Sequence, residues 1–185
     1  QNPAEPGPQR HAARHRFWLG GSVVATSRDS RSAPAWGAQA ALHFAVASKV
    51  WLHAEALVPL SAWRVSGQGG RASVWAGGLL VGGSVAPWGE HVLTPSLGLG
   101  LGALALHTRG EAAAGFRGTS DLNLALFPHA RLGTTWAVSS RVRLRAQLAC
   151  GFATPRPVLL FAEQRETTWI SPLFSGALGL ELGLD

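Results

Sequence analysis

The sequence predicts an all-β protein, an eight-stranded antiparallel up-and-down transmembrane β-barrel. Of its 185 residues, 46% are hydrophobic and only 14% are charged, whereas an ordinary soluble domain carries about 25% charged residues. No apolar run approaches the roughly 18 residues that a membrane helix requires; the richest, 97–106, is interrupted by glycine. Apolar residues instead alternate with polar or small ones, which is typical of strands with two different faces.

The chain divides into a tail and eight apolar segments. Residues 1–14 contain three prolines and no apolar periodicity, which predicts a flexible N-terminal tail. Residues 15–185 are predicted to form the barrel. Turn signals separate its strands, which we expect at 15–28, 36–47, 50–64, 71–86, 92–107, 122–138, 141–154 and 169–184.

Most segments alternate with a period of two. The third, sixth, seventh and eighth have one aliphatic and one polar face. The seventh is the clearest, because Leu144 and Leu148 lie on one face and Arg143, Arg145 and Gln147 on the other. The first, fourth and fifth have a second face that is glycine or mixed, as over residues 97–102. Each glycine would cost a helix close to 1 kcal/mol relative to alanine, so these segments also favour strands.

The connections alternate in length. Long polar ones follow the odd-numbered segments, and short ones follow the second, fourth and sixth. An even number of strands with short turns at one end and long loops at the other is the layout of an outer-membrane barrel. The long connections are 27–35, 65–71, 109–121 and 154–168, and the short ones are 47–49, 87–91 and 139–140.

This layout resembles the small eight-stranded barrels of the bacterial outer membrane, of the OmpA-transmembrane, OmpX and OmpW type. The resemblance covers residues 15–185 as architecture and includes no short motif. It implies a Gram-negative outer-membrane location, a tail on the periplasmic side and long loops outside the cell. A removed signal peptide would explain why Gln1 is the first residue. Such barrels usually end on an aromatic residue, whereas this chain ends Gly183-Leu184-Asp185 and contains no tyrosine.

Tryptophan takes the place of the missing tyrosine near the strand ends. Aromatic girdles at the two membrane interfaces need rings of this amphipathic kind, and core packing in a soluble sandwich is the alternative. The sequence therefore predicts a girdle of Trp18, Trp36, Trp51, Trp63, Trp88, Trp136 and Trp169.

The polar faces of the third, sixth, seventh and eighth segments carry five charges, Glu55, Arg131, Arg143, Arg145 and Glu181. We expect Arg145 and Glu181 to meet inside the barrel, because their strands are neighbours and both lie about equally far from the short-turn end. An eight-stranded barrel is just wide enough to be filled by its own side chains. A salt-bridged plug is the favoured interpretation, and a proton or anion path is the alternative. No cofactor or metal is expected.

Many of the arginines border the long loops. At an outer rim they suit the phosphate groups of lipopolysaccharide, which guanidinium binds bidentately; simple solvation of the loops is an equally good explanation. Nucleic acid is excluded as a partner, because the arginines are dispersed over both ends and the interior. The rim set is Arg28, Arg31, Arg64, Arg71, Arg109, Arg117, Arg156 and Arg165.

The fourth long loop contains the apolar run Val158, Leu159, Leu160 and Phe161. Apolar segments beside charged residues tend to mark contact surfaces, so this run is the predicted contact surface. The alternative is a hairpin that extends the seventh and eighth strands and buries the run near Phe116.

Three functions remain open. The favoured one is a non-catalytic barrel that anchors or presents extracellular loops to a partner, lipid or surface. A narrow pore or carrier for small or hydrophobic solutes is the second. A lipid A-modifying enzyme, with His107 as base and Ser66 or Ser120 as nucleophile, is the least supported. Outer-membrane lipids, lipopolysaccharide and other envelope proteins are the expected partners.

Overall fold

The computed structural model describes residues 16–27, 33–67, 70–88, 91–112, 120–155, 158–161, 164–168 and 172–184. The predicted tail, 1–14, lies outside these ranges. Within them no helix is long and apolar enough to cross a membrane. The strands are β1 (Phe17–Ser27), β2 (Ala35–Ala47), β3 (Val50–Pro59), β4 (Trp63–Gly67), β5 (Gly70–Val85), β6 (Leu93–Ala112), β7 (Ser120–Ala137), β8 (Val142–Gly151), β9 (Val158–Phe161), β10 (Gln164–Thr168) and β11 (Leu173–Leu184).

Eight strands close into an antiparallel barrel. Around the ring the order is β1, β2, β3, β5, β6, β7, β8 and β11, and each pairs with the next along the chain of barrel strands. The last pairs with the first, in a register from Phe17–Leu184 to Ser27–Phe174. The predicted all-β, eight-stranded, up-and-down architecture is confirmed.

The predicted third strand is too long. β3 ends at Pro59, which has no N–H with which to continue the ladder, and the backbone N–H groups of Leu60 and Ser61 both donate to the carbonyl of Trp36. The chain then resumes as β4, which pairs with β5 alone. The second long connection is therefore mostly a β-hairpin, with only residues 68 and 69 between its strands.

The ends of the barrel differ as the sequence predicts. Three short connections, 48–49, 86–92 and 138–141, lie at one end. The paired ends of β1 and β11, Phe17 and Leu184, lie there too. The other end carries the β4–β5 hairpin, the extended ends of β6 and β7, and a separate hairpin formed by β9 and β10. We call these the short-turn end and the long-loop end.

The two faces of the barrel wall differ in chemistry. Leu124 is 72% exposed and Leu178 is 69% exposed on the outside, whereas the inside carries the buried polar and charged residues. The glycine-rich faces of β5 and β6 also point inward. A Cβ on Gly82 would lie 2.6 Å from Nε2 of His53, and one on Gly100 would lie 2.6 Å from Nε2 of His129. Each glycine thus makes room for the imidazole of its cross-strand partner.

The interior has two layers. The half near the short turns is polar and contains the charged residues. The half near the long-loop end is closed by buried apolar side chains, which we call the apolar layer: Ala35, Trp63, Val65, Ala72, Val74, Ala76, Leu104, Leu106, Ala125, Phe127, Ala153 and Leu173.

The height of the apolar exterior matches a bilayer. On β5 the outward residues from Trp75 to Val85 are apolar; ten residue steps span about 34 Å along a strand. At the usual tilt of transmembrane barrel strands this is a height of about 25 Å, the height of the apolar band on such barrels.

A depth-dependent effect of charge follows from this exterior. Leu79 and Leu122 have similar exposure, 66% and 62%, but Leu79 lies near the middle of the band and Leu122 lies beside His107, in the row of Trp75. In lipid, Leu79→Arg should lower the free energy of unfolding by about 2–4 kcal/mol and Leu122→Arg by about 0–1 kcal/mol. Equilibrium unfolding in phospholipid vesicles measures both; equal effects would contradict a lipid-facing wall.

Candidate functional site

Glu55 lies at the centre of the charged half of the interior. Its Oε1 accepts hydrogen bonds from Nη1 of Arg131 at 2.6 Å and from Nη2 of Arg145 at 2.8 Å. Its Oε2 accepts a hydrogen bond from Nε2 of Gln39 at 2.6 Å. Because these groups come from β2, β3, β7 and β8, the contacts tie opposite walls of the barrel together.

Glu181 of β11 is the second carboxylate. Its Oε1 lies 3.3 Å from Nη1 of Arg145 and 3.4 Å from Nε2 of His43, and its Oε2 lies 3.5 Å from Nε of Arg143. Arg145 also contacts the His43 ring and the side-chain oxygen of Gln147. Arg145 therefore bridges both carboxylates. The five residues predicted to share the interior are brought together, and we call them the ion cluster.

Arg143 is held between two indole rings. Its guanidinium carbon lies 3.3 Å from the ring centroid of Trp18 and 4.9 Å from that of Trp51. A cation over an indole face is attracted by the ring, more strongly where water is excluded. The aromatic rings thus supply part of the stabilisation that a third cation needs beside only two carboxylates.

The girdle prediction is wrong for three tryptophans. Trp18, Trp51 and Trp63 point inward and are 5%, 7% and 4% exposed. Inward and outward residues alternate along β3. Trp51 lies on the same face as His53 and Glu55, and Leu52 lies on the opposite face, so this alternation places Trp51 inside. Trp63 belongs to the apolar layer, and its Nε1 donates to the carbonyl of Thr26.

Four other tryptophans suit a girdle. Trp36, Trp88 and Trp136 are exposed, and Trp75 is half-buried on the outer face, with its ring 5.7 Å from that of His107. Trp36 and Trp75 lie towards the long-loop end, and Trp88 and Trp136 lie near the short-turn end. Trp169 lies outside the described residues.

Two small cavities lie in the part of the interior that the described residues enclose. One cavity of about 40 Å³ lies on the short-turn side of the ion cluster, lined by residues that include Ser84, Thr94 and Arg143. Another of about 30 Å³ lies between Glu55 and Phe127. Each has room for only a water molecule or two. Among the described residues, no group of three or more potential metal ligands is present.

The structure describes three of the predicted rim arginines in full. Arg64, Arg71 and Arg109 are exposed on the outer faces of β4, β5 and β6 near the long-loop end. The structure gives the backbone but not the side chain of Arg165, and the remaining predicted rim residues, Arg28, Arg31, Arg117 and Arg156, lie outside the described ranges.

The described residues form no serine–histidine pair that would support the enzyme hypothesis. His107 faces outward against Trp75. Within the described part of the chain it makes no hydrogen bond to a serine or a carboxylate. Ser120 is the cross-strand partner of Arg109, which lies two residues from His107. Ser66 is the partner of Arg71, which pairs in turn with Glu111, four residues from His107. A nucleophile needs its base within hydrogen-bond reach, and neither serine has one among the residues that the structure describes.

The predicted contact surface lies on a hairpin. Val158, Leu159, Leu160 and Phe161 form β9, which pairs with β10 in a two-stranded sheet separate from the barrel. The run therefore lies in a hairpin that does not join the barrel sheet. Its side chains, and Phe116, lie outside what the structure describes.

No protein-family model matches the chain, and no curated protein matches it. Solved structures do. Neisserial surface protein A is 10% identical with a TM-score of 0.60, over 91% of this chain and 97% of that one. The outer membrane protein OprG from Pseudomonas aeruginosa is 12% identical with a TM-score of 0.60, over 90% and 93%.

A major outer membrane protein from Thermus thermophilus is 10% identical with a TM-score of 0.61, over 91% of this chain and 99% of that one. At these identities the likeness concerns the fold. The chain has the fold of the eight-stranded outer-membrane barrels of bacteria, as the resemblance implied.

The ion cluster makes a prediction for stability. Glu55→Ala leaves Arg131 and Arg145 buried without their shared carboxylate, and breaking a buried pair in this way costs about 3–5 kcal/mol. Glu111→Ala removes an exposed carboxylate from the outer face and should change stability by less than about 0.5 kcal/mol. Unfolding in lipid vesicles compares them. Similar losses would show that the ion cluster contributes no special stability.

Proposed function

We propose that the protein is a closed, non-conducting barrel of the bacterial outer membrane, which anchors extracellular segments and presents them to a partner, a lipid or a surface. The observation that carries this proposal is the apolar layer. Among the described residues, it closes the long-loop half of the interior with buried apolar side chains, which oppose the entry of ions from that end.

The other half of the interior supports the same function. Ions entering from the short-turn end meet the ion cluster, whose arginines and glutamates already bind one another across the lumen. Buried charges that already have partners offer little to a passing solute, because drawing one partner away would leave the other unpaired in the interior. The interior therefore serves as a rigid filling, and the proposal assigns it neither transport nor catalysis.

The presentation of extracellular segments depends on the long-loop end of the barrel. Loops that a rigid scaffold positions are where binding usually concentrates. Here the β4–β5 hairpin, the extensions of β6 and β7, and the β9–β10 hairpin lie at one end, whereas short connections join the strands at the other end. In the orientation that outer-membrane barrels adopt, long loops are extracellular.

Electrical recording tests the closed interior. The full chain in planar lipid bilayers should show no steady conductance. Leu104→Ala with Phe127→Ala thins only the apolar layer and should remain silent, because the ion cluster still blocks the lumen. Adding Arg145→Ala and Glu181→Ala should admit ions. A large, stable conductance from the unchanged protein would favour the pore hypothesis.

Surface labelling tests the orientation. An epitope inserted between Phe161 and Gln164, in the β9–β10 hairpin, should bind antibody on intact cells. The same epitope between Ser139 and Ser140, in a short turn, should bind only after the outer membrane is permeabilised. The reverse pattern would place the long-loop end inside and remove the proposed presenting role.

A further inference from the structure

Three exposed arginines surround one serine on the outer wall. Arg64 of β4 and Arg109 of β6 are both direct cross-strand partners of Ser73 on β5. Arg71 lies two residues from Ser73 on the same strand. Neighbouring strands are about 4.8 Å apart and alternate residues about 7 Å apart, so the three side chains leave the wall from a single small triangle.

In the part of the chain that the structure describes, cations outnumber carboxylates at the triangle. Glu111 is the cross-strand partner of Arg71. Among the described residues, none of the three arginines makes an ion pair. Three exposed cations with Glu111 as their cross-strand carboxylate give this wall an excess of positive charge, which attracts a multiply charged anion from outside the protein.

The depth of the triangle indicates the kind of anion. Ser73 lies two residues beyond Trp75 on β5, and Trp75 faces His107 in the next row towards the middle of the wall. Two residues add about 5 Å of height on a tilted strand. Indole rings prefer the headgroup level of a bilayer, so the arginines lie at or just above lipid phosphate groups.

The wall below the triangle is suited to acyl chains. Beneath the Trp75–His107 row come Gly77 and Ala105 as partners, and then Leu79 beside Ala103. Ala105 is the cross-strand partner of Leu124, which is 72% exposed, so the wall below the aromatic row is apolar. A cationic triangle, an aromatic row and an apolar wall follow one another in the order of the parts of a phosphorylated lipid.

We propose that Arg64, Arg71 and Arg109 bind the phosphorylated headgroup of an outer-leaflet lipid, lipopolysaccharide in a Gram-negative outer membrane. Guanidinium groups bind phosphate oxygens in bidentate pairs, and Ser73 offers a hydroxyl between them. This inference rests on the proposed membrane placement but not on the closed interior. A bound lipid would fix the long-loop end at the membrane surface.

Native mass spectrometry of the full chain in detergent tests the inference, with diphosphorylated lipid A and its dephosphorylated form as probes. The unchanged protein should retain the phosphorylated form preferentially. Arg64→Ser, Arg71→Ser and Arg109→Ser together should reduce that retention by about tenfold or more. Arg16→Ser, Lys49→Ser and Arg141→Ser remove the same charge at the short-turn end and should change it little.

Glu111→Gln provides an independent variant on the exposed outer face. Removing the competing carboxylate should increase retention of phosphorylated lipid A. Equal retention of the two lipid forms, or equal losses in the two triple variants, would overturn the inference. Binding of soluble heparin without binding of lipid A would overturn it as well, since the patch would then recognise a soluble polyanion.

Flotation with phosphatidylcholine vesicles separates this inference from the proposed function. A chain that floats with the vesicles but retains lipid A without regard to phosphate contradicts the inference alone. A chain that does not enter vesicles contradicts the membrane placement on which both depend.

Discussion

A closed ring of eight strands directs every second side chain into a lumen that only side chains fill. In this protein five of the inward residues are charged, and they come from β3, β7, β8 and β11. Buried ions are tolerated only when each has a partner. Arg145 satisfies this constraint by contacting Glu55 and Glu181 together, so the register of four strands is fixed by one set of contacts.

The rest of the interior follows from that cluster. Glycines at positions 82 and 100 leave space for His53 and His129. The indole rings of Trp18 and Trp51 enclose Arg143. Beyond the polar half, the apolar layer lies towards the long-loop end. The proposed function therefore places binding at the long-loop end and on the outer wall. The functional proposals therefore concern the β9–β10 hairpin and the arginines around Ser73.

Alternation in the sequence predicts the strands, their faces and the two different ends. Strand parity also indicates that Trp51 lies inside, but position near a strand end led to the girdle interpretation. The sequence of β6 indicates part of the apolar layer, because outward Leu97, Leu99 and Leu101 are followed by inward Leu104 and Leu106. The arginine triangle has no local signal, because it depends on the register of three strands.

The proposed function requires that the long-loop half of the interior is dry and that the outer wall meets lipid. Nuclear magnetic resonance in lipid nanodiscs tests it through magnetisation transfer from water and from acyl chains to methyl groups. Val74, Leu104 and Leu106 should receive transfer from neither, whereas Leu99 and Leu178 should receive it from acyl chains. Transfer from water to Leu104 and Leu106 would contradict the closed barrel.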